Sequence, residues 1–287
     1  MNRPLVSFLI ALLAIVSILS FSGCIDEEKD GAPTHDAAAV SVAGSTTVMP
    51  LVEASAEEFN RIQSLVRVSV TGGGSGVGIK NAAEGLADIA MASRQVKPDE
   101  IATYGDSFEE FVVAYDAIAV VVSHPIYEAG VNDLSQEQVA AIYSGEITNW
   151  MDVGGPDERI YVVAREVGSG TRDTFNGMVI GGEEAETPGV TTYHGSNAEM
   201  KTAVTNSDKA IGYVGMNYAE GGALRAVAYD GVMPSAETIK DGSYPLSRAL
   251  NLYTFGDPSP DAEKFIDFIL SDEGQNIVAE SGFVPIR

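Results

Sequence analysis

Val40-Ser41-Val42-Ala43-Gly44-Ser45-Thr46-Thr47-Val48-Met49-Pro50, residues 40–50, sets the fold. Val40 to Ala43 is a short strand and Gly44 to Thr47 a loop of small hydroxyl residues, after which Leu51, Val52, Ser55, Phe59 and Ile62 recur at helical spacing. Val66, Val68 and Val70 alternate as the next strand. Gly72-Gly73-Gly74-Ser75-Gly76 follows, with a helix predicted over Val77 to Leu86 and a strand over Asp88 to Ala92. Strand, loop and helix in repeated succession specify an α/β sheet.

Further along, Phe111 to Ser123 is a run of Val, Ala and Ile broken by Asp116. It is longer than an ordinary strand of about 5–6 residues, which predicts a strand crossing between two lobes. Leu134-Ser135-Gln136-Glu137-Gln138 opens a helix with Ser135 and Gln138 at capping-box spacing. Ile160 to Ala164 and Ala210 to Val214 read as strands, Leu250 to Phe255 as a second crossing, and Ala262 to Leu270 and Glu273 to Glu280 as amphipathic helices. The expected division is 40–115 with 252–287 in the first lobe and 116–251 in the second.

Toward the start, Arg3, an apolar run from Leu5 to Leu19 and Phe21-Ser22-Gly23-Cys24 read as a signal peptide (1–23) with a lipoprotein cleavage site. At about 15 residues the run is short of the ~20 that a spanning helix needs, although a tilted anchor is the competing reading. Cys24 is the only cysteine, so no intrachain disulfide can form, and lipidation is its most economical role. Residues 24–39 are read as the lipidated cysteine and a polar tether, with a coil reach of roughly 20 Å. The formal charge of −24 repels nucleic acid and anionic head groups. It does not exclude an anionic ligand, since charges beyond about 8–10 Å are screened while donors in contact are not.

The chemistry gathers on loops at Gly44 to Thr47, Gly72 to Gly76 and Gly168 to Thr171, each of small hydroxyl or glycine residues between a strand and a helix. Helix starts offer unpaired N–H groups, and glycine lets a ligand approach the backbone. Capping or linker duty is the plainer reading of any one loop. Their recurrence at the carboxyl ends of strands points to an anion site. Arg165 and Arg172 flank the third loop and Arg94 follows Ser93 at a strand end, where guanidinium matches a tetrahedral oxyanion. Surface ion pairing, for example of Arg165 with Glu166, is the alternative.

The chain resembles the phosphate-binding lipoproteins of phosphate ABC transporters. The matching stretches are Gly44 to Pro50, Gly72 to Gly76, Leu134 to Trp150, Gly168 to Arg172, Ile211 to Val214 and Phe283 to Pro285, with Tyr143 to Trp150 the most distinctive. The resemblance implies a two-lobed periplasmic-binding-protein fold of Venus-flytrap type, closing on phosphate. It also implies permease subunits as partners, attachment through a lipid anchor alone at the outer face of the cytoplasmic membrane, a monomer and no cofactor or metal. Carried onto this chain, Ser45, Thr46, Thr47 and Ser75 line the first lobe and Arg165, Ser169, Gly170 and Thr171 the second. Many members have an aspartate where this chain has Ser93-Arg94, to accept the proton of bound phosphate. Asp116 is the candidate acceptor here, with a capping or hinge role as its alternative. A close rival keeps the fold but binds sulfate, molybdate or tungstate. A secreted serine hydrolase is disfavoured, because His35 lies in the tether, only His124 and His194 remain as bases, and no Gly-x-Ser-x-Gly elbow occurs.

Overall fold

The computed structural model describes residues 37–219 and 224–287. The signal segment, Cys24 and the tether through residue 36 lie outside the described residues. Ala38 and Ala39, expected to close the tether, instead begin a strand. The Ala38 N–H donates to Leu65 O (2.9 Å), and the two residues stand in register with Val66 and Arg67.

Strand β1 (Ala38–Gly44) pairs in parallel with β2 (Val66–Gly72) and β3 (Ile89–Ala92), and α1 (Met49–Ile62) and α2 (Ser75–Ala83) are the crossovers. Helix α2 starts two residues before the predicted Val77, since Gly74 at φ 94° ends the loop and leaves Ser75 free to be helical. It also stops short of Leu86, because Gly85 turns left-handed at φ 68°. Then come α3 (Pro98–Tyr104) and β4 (Phe108–Ser123). The middle of the chain contributes α4 (His124–Glu128), β5 (Asp133–Leu134), α5 (Gln136–Ser144), β6 (Tyr161–Arg165), α6 (Gly170–Phe175), β7 (Thr192–His194), α7 (Asn197–Thr205), β8 (Ala210–Gly215) and α8 (Met216–Ala219). After residues 220–223 follow β9 (Leu224–Ala226), β10 (Ala228–Tyr229), α9 (Ala236–Lys240), β11 (Ser247–Phe255), α10 (Pro260–Leu270) and α11 (Asp272–Glu280).

Strand order in the main sheet is β2-β1-β3-β11-β4-β8-β6-β7, with β9 also on β4. β4 holds the two halves together. Its residues 108–117 pair antiparallel with β11, and Ile118 to Val122 pair with β8. The apolar interior divides at the same place: Val42, Leu51, Ile89, Val113, Leu252 and Phe265 belong to one cluster, and Ile118, Val120, Tyr143, Trp150, Val163 and Tyr213 to another. A strand buried on both faces in two successive cores reads as an unbroken apolar run, which is why Phe111 to Ser123 shows no alternation. The Ser135–Gln138 capping box forms, with Gln138 N–H on Ser135 Oγ (3.2 Å) and Ser135 N–H on Gln138 Oε1 (2.9 Å).

Candidate ligand-binding site

The three loops meet. Gly76 N–H donates to Gly168 O (3.1 Å), and Thr47 Oγ1 lies 2.9 Å from Thr171 Oγ1, so loops resting on different cores touch across a closed cleft. Gly170 is required for this approach, because a Cβ there would stand 2.2 Å from Ser75 Oγ and 2.8 Å from Ser93 Oγ. The serines serve local structure. Ser45 Oγ accepts from Thr47 N (3.2 Å), Ser75 Oγ from Ser93 N (3.1 Å), and Ser169 Oγ, at the N-cap of α6, from Arg172 N (3.3 Å). A hydroxyl that accepts in this way keeps its proton for donation elsewhere.

Arg165 ends β6 and is 1% exposed. Its Nε donates to His194 O (3.1 Å) and its Nη2 to Gly195 O (2.7 Å) and Thr46 Oγ1 (3.3 Å), while Nη1 is buried with no partner. Among the described residues no carboxylate lies within ion-pair distance of it. Burial pulls the guanidinium down to about 10, still far above neutrality, so it carries its charge without a counter-ion. A buried, uncompensated cation is strongly unfavourable in isolation. The alternative reading of Arg165, a surface pairing with Glu166, is not what forms.

Two other expectations change with the geometry. Asp116 is fully buried, and its carboxylate is already occupied: Oδ2 takes Arg248 Nε (3.2 Å) and Nη2 (2.8 Å), and Oδ1 takes the N–H of Met216, first residue of α8. Burial raises its pKa, with Arg248 pulling the other way. The carboxylate therefore ties β4 to β11 and α8, with Oδ2 engaged by Arg248 and Oδ1 by Met216. Arg94 is likewise taken up by Glu100 (2.7 and 2.8 Å), Asp173 (2.9 Å) and Gln95 O (2.8 Å). Its charge is neutralised, because the turn into α3 brings Glu100 beside it and closure brings Asp173.

Sequence reasoning missed Asn197, Tyr218 and Arg248. Asn197 Nδ2 donates to Thr47 Oγ1 (2.9 Å) and Thr46 Oγ1 (3.3 Å), and Tyr218 OH donates to Thr46 O (2.9 Å). The one available signal was Gly195-Ser196-Asn197, another small polar loop opening a helix. The distinctive Tyr143 to Trp150 stretch proves to be packing. Tyr143 OH donates to Val163 O (3.0 Å) and Trp150 Nε1 to Lys209 O (2.9 Å). Phe175 of α6 stacks on Tyr213 at 4.0 Å and meets Tyr143 edge-on at 4.9 Å, while Tyr213 OH accepts from Arg165 N (3.1 Å). That aromatic stack fixes β6 and α6, and with them Arg165 and the Gly168–Thr171 loop.

Residues 31–273 match the family model described as a PBP superfamily domain. The phosphate-binding protein PstS of Bacillus subtilis (strain 168) is 30% identical over 294 residues, covering all of this chain and 95% of its own length. The chain belongs to the PBP superfamily, among its PstS-type members. A Clostridium perfringens structure described as a phosphate ABC transporter substrate-binding protein with bound phosphate aligns at TM-score 0.80 and 38% identity, over 87% of this chain and 100% of that one. An ABC-type phosphate transport receptor from Vibrio cholerae aligns at TM-score 0.70 and 32% identity, over 85% of this chain and 99% of that one. The α/β architecture with a cleft between lobes is the family fold.

Proposed function

We propose that this chain captures inorganic phosphate outside the cytoplasmic membrane and delivers it to the permease of an ABC importer. The observation that carries the reading is Arg165, a buried guanidinium that has no carboxylate partner among the described residues and an unpartnered Nη1 beside hydroxyl-rich loops. An oxyanion among Thr46, Thr47, Ser75, Ser169, Gly170 and Thr171 would supply the missing charge and accept the free hydroxyl protons. Ser45 and Ser93 support those loops, and Asp116 and Arg94 act through ion pairs. The named phosphate-binding relatives favour phosphate as the anion. We place the lobe boundaries near residues 115 and 251, on the crossing strands, and the lipid anchor at Cys24, with no catalytic or metal-binding role. His194 bonds Thr192 (3.4 Å) and His124 lies beside Glu128 (3.8 Å), so neither is set as a base for a loop serine.

The pairing of Asp116 with Arg248 gives specific support to a second reading, a site for sulfate-like oxyanions, since it engages the carboxylate expected to accept a phosphate proton. Thermal melts of the soluble chain against phosphate, sulfate, molybdate and tungstate separate the two. Phosphate at about 1,000 times its dissociation constant should stabilise the fold by about 4 kcal/mol. A larger shift with another oxyanion transfers the assignment to it, and indifference to all of them ends the oxyanion reading.

A further inference from the structure

Arg248, on β11, aims all of its N–H groups at named acceptors. Nε and Nη2 donate to Asp116 Oδ2 (3.2 and 2.8 Å), Nη1 to Thr171 Oγ1 (3.1 Å) and Ser93 O (3.4 Å), and Nη2 also reaches Thr47 Oγ1 (3.5 Å). A hydroxyl has two lone pairs and one proton. Both lone pairs of Thr47 Oγ1 face donors, Arg248 at 3.5 Å and Asn197 Nδ2 at 2.9 Å. Its proton is then the one shared in the 2.9 Å contact with Thr171 Oγ1. Thr171 Oγ1, accepting from Arg248 and from Thr47, has no lone pair left, and its own proton must be donated.

We propose that Arg248 is a positioning residue: with Asn197 it fixes the direction of the Thr47–Thr171 hydrogen bond so that Thr171 presents a proton, not a lone pair, to the bound oxyanion. This rests on the oxyanion reading above and adds to it a statement about which ligand oxygens are accepted. An oxygen that can only donate favours a deprotonated ligand oxygen and gives nothing to a P–OH group. A merely structural Arg248 would act on both kinds of ligand oxygen alike.

The test is calorimetric titration of phosphate and of sulfate into the wild-type chain, Arg248→Lys, and the double variant Asp116→Asn with Arg248→Met, which leaves no buried charge unpaired. In the variants the Thr171 hydroxyl regains a lone pair that can accept from protonated phosphate. Sulfate affinity should therefore fall by at least about tenfold more than phosphate affinity, a difference of about 1.4 kcal/mol. Thr171→Val, which can neither donate nor accept there, should weaken both anions alike and erase the difference that the Arg248 variants create. Equal losses for the two anions in the Arg248 variants, or a difference between them that survives Thr171→Val, overturn the role. So does a wild-type chain that binds phosphate and refuses sulfate altogether, because donors alone would not refuse it. A wild-type chain that binds neither anion overturns the oxyanion reading and this role with it.

Discussion

An alanine Cβ at position 170 would lie 2.2 Å from Ser75 Oγ, far inside any tolerated contact, yet Gly170 does not occupy the left-handed region and alanine is a good helix former. The clash exists only when the lobes have closed. Gly170→Ala should therefore weaken phosphate binding by more than about tenfold, more than 1.4 kcal/mol, and leave the unliganded melting temperature nearly unchanged. Equal affinity in a titration would mean that the ligand is held without this approach. Arg165 bears on the same question from the side of charge. Hydrogen bonds to charged groups are worth about 1.5–3 kcal/mol, so Arg165→Ala should weaken phosphate by at least tenfold. Because the guanidinium is buried without a counter-ion, the unliganded chain should lose little stability, and a large loss would contradict its assignment as a ligand group. At this scale the loop residues were legible because Gly, Ser and Thr between a strand and a helix have few uses. Asn197 and Arg248 were not, since they reach Thr47 from 150 and 201 positions away, and only closure brings them there.

Elements explain what single residues do not. Length alone revealed β4 as a crossing strand, because an apolar run continuing through two cores has no other economical reading. Most strands of the sheet were legible too, but β4 and β11 each begin three residues before the predicted Phe111 and Leu250, the short β7 and β9 were not read as strands, and Ala38 and Ala39 of β1 look like tether until β2 supplies their hydrogen bonds. Short elements such as α3 were not, although α3 turns Glu100 toward Arg94. Across the cleft Asp173 of α6 meets both Arg94 (2.9 Å) and Lys97 (3.0 Å), the latter also pairing Glu184 (2.7 Å). Arg94 therefore latches the closed form. Arg94→Ala would leave Asp173 and Glu100 without their guanidinium, and removing one partner of such a buried pair costs about 3–5 kcal/mol. Chemical denaturation with ligand present should show that loss, with the phosphate-to-sulfate ratio unmoved. A change in the ratio would return Arg94 to the ligand's contact shell.

For the whole molecule, the acidic surface and the basic cleft are separate designs. A formal charge of −24 is spread over a chain whose buried guanidiniums Arg94, Arg165 and Arg248 surround the meeting point of the loops. Among the described residues Arg94 and Arg248 have carboxylate partners and Arg165 has none, so the closed form is electrostatically incomplete without an anion. Closure around a ligand shared by two lobes is then the expected coupling between binding and shape. Calorimetric titration of inorganic phosphate into the soluble chain begun after Cys24 tests this most directly. One phosphate should bind per chain, saturably, and Arg165→Ala should abolish that binding or weaken it at least about tenfold. The absence of saturable binding by the folded wild-type chain, or binding that Arg165→Ala leaves intact, would contradict it.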